Sequence, residues 1–160
     1  MQESFRENTR KRLLLNRQSR RNLIWLLLFV ATFGLVIFSA FSYDKEKGKK
    51  LYIEQCSKCH RKDGKGIKGV YPPLKNSDYV QKGDKIELLR GMLFGRSGKI
   101  VVNGGVYYGV MTTEVDKNLK DEEIALILEY VFRELNGIDK SVTSDDVVKA
   151  RKLGKLPPHK

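Results

Sequence analysis

The chain is short of the side chains that hold metal ions or bridge distant segments. In 160 residues it has two cysteines, Cys56 and Cys59, two histidines, His60 and His159, and three methionines. A structural zinc site draws on four ligands, usually two pairs at finger spacing, and one pair with a histidine in the terminal "LPPHK" is a poor substitute. Internal repeats and long low-complexity segments are also missing. The net charge is +12, yet lysine and arginine are not clustered and interleaved with aromatics as on a nucleic-acid surface. No nucleic-acid partner is expected.

One stretch lacks charge altogether. Residues 23–41 are 19 consecutive positions without an acidic or basic side chain, and Thr32 and Ser39 are their only hydroxyls. As a helix they would span roughly 28 Å, close to the hydrocarbon thickness of a bilayer. Residues 1–22 before them set seven basic side chains against Glu3 and Glu7. That asymmetry predicts a cytoplasmic N-terminus and an exported remainder, with Trp25 and Tyr43 at the two interfaces. The competing reading is a cleaved signal peptide, for which Ala40-Phe41-Ser42 offers a small-x-small site. The long apolar run and long basic region favour a retained anchor. No cysteine near its end could take a lipid. The expected organisation is a basic cytoplasmic segment 1–22, a single transmembrane helix 23–41, a domain 42–137 and a C-terminal extension 138–160. The expected location is a bacterial cytoplasmic membrane, with the domain on the outer, periplasmic side.

What remains is concentrated in "EQCSKCHRKDG", where Cys56, Cys59 and His60 read C-x-x-C-H. A thioredoxin-type dithiol would want a βαβ surround, whereas these flanks read as a short helix and then a glycine-rich loop. Covalent haem attachment explains all three residues. Two thiols three positions apart add across two vinyl groups, and the adjacent imidazole ligates the iron. One motif predicts one haem c.

The iron's sixth position then needs a ligand or a vacancy. Met111 lies in "VVNGGVYYGVMTTEV", read as a loop rich in glycine and tyrosine, and is the favoured ligand. Met92 shares a helical face with Ile86, Leu89 and Leu93, which suits core packing instead. A vacant sixth site would make the protein a haem sensor or ligand-binding module. With both sites filled, no small-molecule substrate and no catalysis are expected.

These residues resemble the class I cytochromes c, in particular small bacterial monohaem ones with a single N-terminal membrane anchor. The resemblance covers residues 44–137. "GKKLYIEQCSKCH" is similar to the family's N-terminal helix, in which Gly48 and Tyr52 would let it cross closely over the C-terminal helix. "VYPPL" resembles the segment whose proline carbonyl, here Pro72, accepts the ring N–H of the haem histidine, with Leu74 packing on the haem face. "VNGGVYYGVM" is similar to the loop carrying the methionine ligand, and "LKDEEIALILEYVFRELNG" to the last helix. Thr112 stands where the family often has proline, and Lys120 where it often has a capping hydroxyl. The resemblance implies an all-α fold wrapped around one covalent haem, preceded by the transmembrane helix. It also implies single-electron transfer in a respiratory chain, with redox proteins as partners. The alternative is a fixed electron-entry subunit of a terminal oxidase or nitrogen-oxide reductase.

Periodicity supports the last helix by itself. Ile124, Leu128, Val131 and Leu135 form one apolar stripe broadened by Ile127, and Asp121, Glu122 and Glu123 sit at its positive end. Gly137 is expected to stop it. Thr143 and Asp146 stand at capping-box spacing for one more short helix, which is too polar to fold alone.

Overall fold

The computed structural model describes residues 20–29, 43–112 and 115–158. Contacts divide the chain into two compact units, Met1–Tyr43 and Asp44–Lys160. In the first, residues 20–29 are helical, and the large apolar side chains from Leu23 to Phe29 are 51–69% exposed. Among the described residues no helix is long and apolar enough to cross a membrane. Residues 30–41 of the expected span lie outside the described residues.

The second unit is mostly helical. Its first helix, α1 (Lys45–Gln55), starts where the Asp44 carboxylate accepts the Lys47 N–H at 2.9 Å. It packs against α5 (Asp121–Tyr130), and Gly48 sits at the crossing. A Cβ there would lie 3.2 Å from both Leu126 O and Tyr130 Cβ, so only glycine allows this approach without displacement. One turn on, Tyr52 is fully buried with its ring 5.3 Å from that of Tyr130. Its hydroxyl donates to Arg61 O at 2.8 Å, tying α1 to the loop after the cysteines.

Helix α5 buries the stripe read from its sequence and runs into one π-helical turn, Val131–Leu135. Asn136 and Gly137 end it, with Gly137 in the left-handed region at φ +65°. Its N-cap is Lys120, whose N–H donates to Glu123 Oε2 at 3.2 Å, while the Glu123 N–H that a capping hydroxyl would accept donates to Lys120 O at 3.0 Å.

Between these two helices lie α2 (Ser57–His60), α3 (Asp78–Lys82) and α4 (Lys85–Phe94). The extension adds α6 (Ser144–Leu153), opened by the Thr143–Asp146 capping box. It packs on α4 and α5 through Val147 and Ala150, both fully buried. Polar groups fasten it as well. Lys85 meets Asp146 at 2.7 Å, and Arg90 donates to the carbonyls of Leu153, Gly154 and Lys155 at the helix end.

The all-α expectation needs correction. Strands β1 (Arg96–Val102) and β2 (Gly105–Met111) form an antiparallel hairpin with Arg96 opposite Met111 and Val102 opposite Gly105. The physical reason stands in the sequence. β-Branched and aromatic residues flank Asn103-Gly104, and both of these take positive φ, 50° and 74°, as a type I′ hairpin turn requires. Asp78 and Asn103 exchange hydrogen bonds, Asn103 N to Asp78 Oδ1 at 2.7 Å and Asp78 N to Asn103 Oδ1 at 2.9 Å. This clamp fixes the hairpin tip to the start of α3.

Candidate cofactor site

Helix α2 is a single turn, entered through a bend at Cys56 and closed by the His60 N–H donating to Cys56 O at 3.0 Å. One turn is the right length to bring thiols three positions apart to neighbouring places on one surface. Both cysteines are half-buried free thiols. Burial, and then the neighbouring Cys59, push the Cys56 thiol up to about 12, so it is protonated at neutral pH. A catalytic redox dithiol depends on the opposite shift. The pair is therefore poorly suited to disulfide exchange.

His60 is only 6% exposed. Its Nδ1 lies 2.9 Å from Pro72 O. A carbonyl can only accept, so Nδ1 carries the proton and Nε2 keeps its lone pair. Burial lowers the ring's pKa, against the smaller opposing effect of the Pro72 bond, so the imidazole is neutral and able to ligate.

The loop after His60 exists to deliver that carbonyl. Gly66 N donates to His60 O at 3.0 Å, and Leu74 N and Lys75 N both donate to Gly64 O at 2.8 and 2.9 Å. Gly66 has φ +62°, and a Cβ there would fall on Tyr71 O and 2.6 Å from Pro72 O. A side chain at position 66 would thus displace the acceptor of the His60 bond.

Two clefts open beside the motif. One is lined almost wholly by apolar groups, among them Cys56, Leu74, Met92, Ile127 and Leu128. The other has Cys59, Tyr71, Tyr107 and Tyr108 in its wall. His60, Pro72, Arg96, Ile100 and Met111 line both, so the two are parts of one depression with the histidine between them. Each residue singled out in the sequence (Cys56, Cys59, His60, Pro72, Leu74 and Met111) borders this depression.

One placement differs from the reading of the sequence: Met111 is the last residue of β2, not a loop residue, and is 40% exposed. Met92 packs against core residues, as its helical face suggested, and also borders the first cleft. The sequence reading also missed Arg96. It is 9% exposed, stacks over the Tyr79 ring at 5.1 Å and borders both clefts. Burial disfavours its charge, so a carboxylate on a bound group would be a favourable neighbour. The strand alternation Arg96, Gly98, Ile100, Val102 carried the signal, in a segment the sequence analysis gave no element.

These residues fit a covalently held haem: two thiols three positions apart, a neutral imidazole with its free nitrogen, an apolar slot and the buried Arg96 guanidinium. A family model for cytochrome c matches residues 45–132. The chain is 34% identical to cytochrome c-552 of Thermus thermophilus over 142 residues, 83% of this chain and 88% of that protein. It is 30% identical over 112 residues to the fructose dehydrogenase cytochrome subunit of Gluconobacter japonicus, covering 69% of this chain and 23% of the relative. It is 32% identical over 95 residues to the cbb3-type cytochrome c oxidase subunit FixP of Bradyrhizobium diazoefficiens, covering 59% of this chain and 31% of that subunit. With this site at its centre and these relatives, the chain belongs to the cytochrome c family of electron carriers.

Proposed function

We propose that the protein is a membrane-anchored monohaem cytochrome c that passes single electrons on the outer side of a bacterial cytoplasmic membrane. The observation that carries the haem assignment is His60, buried and oriented by Pro72 O, one residue after the second of two thiols at the edge of an apolar depression. Bound there, haem c supplies a one-electron Fe(II)/Fe(III) couple. Cys56 and Cys59 would hold it covalently, His60 Nε2 would ligate the iron, and Leu74, Ile127 and Leu128 would exclude water. Met111 is the proposed second ligand, since its side chain borders both clefts whereas Met92 borders one. A thioether ligand raises the reduction potential and leaves no site for substrate.

The anchor is supported by the 19 uncharged residues 23–41, the basic flank before them, and exposed apolar side chains on the whole described helix surface from Leu23 to Phe29. Such a surface is costly in water and favourable in lipid. A second reading is supported by the relatives that are cytochrome subunits of a dehydrogenase and an oxidase. In that reading the chain is a fixed subunit of a larger respiratory complex.

Membranes from cells making the full chain test both. The anchored carrier should fractionate with the membrane, begin at or near Met1 on N-terminal sequencing, and show a reducible c-type spectrum unchanged by carbon monoxide. A mature terminus at Tyr43 would show a cleaved signal instead, and ready carbon monoxide binding would show an open sixth site. Co-purification with other subunits from mild detergent would establish the complex.

A further inference from the structure

The strap from Pro72 to Ser77 connects the His60 acceptor to helix α3, and its middle is held by Leu74 N and Lys75 N donating to Gly64 O. Pro72 and Pro73 have no N–H to donate. Upstream the strap is held by the reciprocal Ile67–Tyr71 bonds, each 2.8 Å. Downstream it is held by two side chains: Asn103, whose Nδ2 donates to Asn76 O at 2.9 Å, and Asn136, at the end of the π-helical turn that follows α5. Asn136 Nδ2 donates to Leu74 O and to Val131 O, both at 2.8 Å, and Asn136 Oδ1 accepts from Ser77 N at 2.9 Å. Two carbonyls on one side and an N–H on the other fix the amide's orientation, since the flipped form would face oxygen to oxygen. The neighbouring main chain adds Asn76 N to Leu135 O at 3.0 Å.

Leu74 is consequently gripped at both ends of its peptide, its N–H by Gly64 O and its carbonyl by Asn136. It lies two residues from Pro72. The grip comes from the end of the π-helical turn, and π turns recur where a helix must redirect a side chain for function.

We propose that Asn136 is a positioning residue for the haem histidine. Through Leu74 and Ser77 it sets the strap whose Pro72 carbonyl orients and polarises the His60 ring, so the end of the π turn after α5 tunes the iron's ligand field. This inference rests on the reading of His60 as an iron ligand. An Nδ1–H···O bond makes an imidazole a stronger donor to its metal, and loosening the bond weakens that donation. A weaker donor favours the reduced iron.

The test uses the full haem-loaded chain. Asn136→Ala should shift the midpoint potential upward and move the NMR resonances of the His60 ring N–H and the haem methyl groups. Val147→Ala removes buried packing from α6 without touching the strap, so it should lower the melting temperature but leave potential and resonances at wild-type values. A second measurement needs no variant. In the wild type the Ser77 amide and the His60 ring N–H should exchange with protection of the same order as the Leu135 amide, because they open with the helix end. Asn136→Ala with a lower melting temperature but unchanged potential and resonances would overturn the inference, as would Ser77 exchange far faster than that of Leu135. A wild-type chain without His60-ligated haem would overturn both this inference and the function on which it rests.

Discussion

The histidine side and the methionine side of the depression are built in contrasting ways. His60 is 6% exposed, and the loop beside it spends its backbone groups on one another around Gly64, Gly66 and Pro72. Met111 is 40% exposed at the end of a two-stranded hairpin whose far tip is clamped by Asp78 and Asn103. One proposed ligand is over-determined locally, while the other is positioned through sheet register from a distance. Changes on the histidine side should therefore threaten attachment and folding, and changes on the methionine side should mainly alter spectrum and potential.

The largest expected effect is from the paired change Cys56→Ala and Cys59→Ala. It should abolish covalent attachment and leave a chain with reduced helical circular dichroism, because the apolar slot loses the group that fills it. Next is Gly66→Ala. It adds a Cβ at φ +62° into the Tyr71 and Pro72 carbonyls, and should cost about 2–4 kcal/mol in denaturant unfolding of the haem-loaded protein. Loss of under about 1 kcal/mol would show that the loop relaxes freely and that the contrast between the two sides is overstated.

Met111→Ala tests the other side. It should remove the weak long-wavelength charge-transfer band of thioether-bound ferric haem and lower the potential, with little change in attachment. Met92→Leu should keep the band and cost under about 1.5 kcal/mol, since the swap roughly conserves volume. Band loss in Met92→Leu alone would reverse the ligand assignment. The mildest change to the methionine band among the hairpin variants should come from Asp78→Ala, which removes the side-chain half of the clamp at the hairpin tip. About 1–3 kcal/mol of stability should go, seen as a lower melting temperature, with the methionine band broadened but present. An unchanged melting temperature would mean that the strand pairing alone positions Met111.

Much of this was legible in the residues. C-x-x-C-H marked the proposed attachment point, and the 3.6-residue stripe of Ile124, Leu128, Val131 and Leu135 named the buried face of the helix over 121–135. Gly48 and Tyr52 pack at the helix crossing because small size and an aromatic ring are what such an approach demands. The hairpin was obscured because its glycines and tyrosines read as loop composition, although Asn103-Gly104 between β-branched runs is a strong turn signal. Arg96 was missed because its burial follows only from strand alternation, and no strand was expected there. Asn136 was illegible in principle. Its bonds to Leu74 and Ser77 span 62 and 59 residues, and no local pattern encodes a pairing at that separation.

The central claim is that Cys56 and Cys59 hold one haem for which His60 is the buried ligand. Acid–acetone extraction of the full chain, followed by intact mass measurement, tests it most directly. The account predicts that the pigment stays with the protein and that the mass exceeds the polypeptide by a single haem. A colourless polypeptide at its bare sequence mass, from cells that mature other c-type cytochromes, would contradict it.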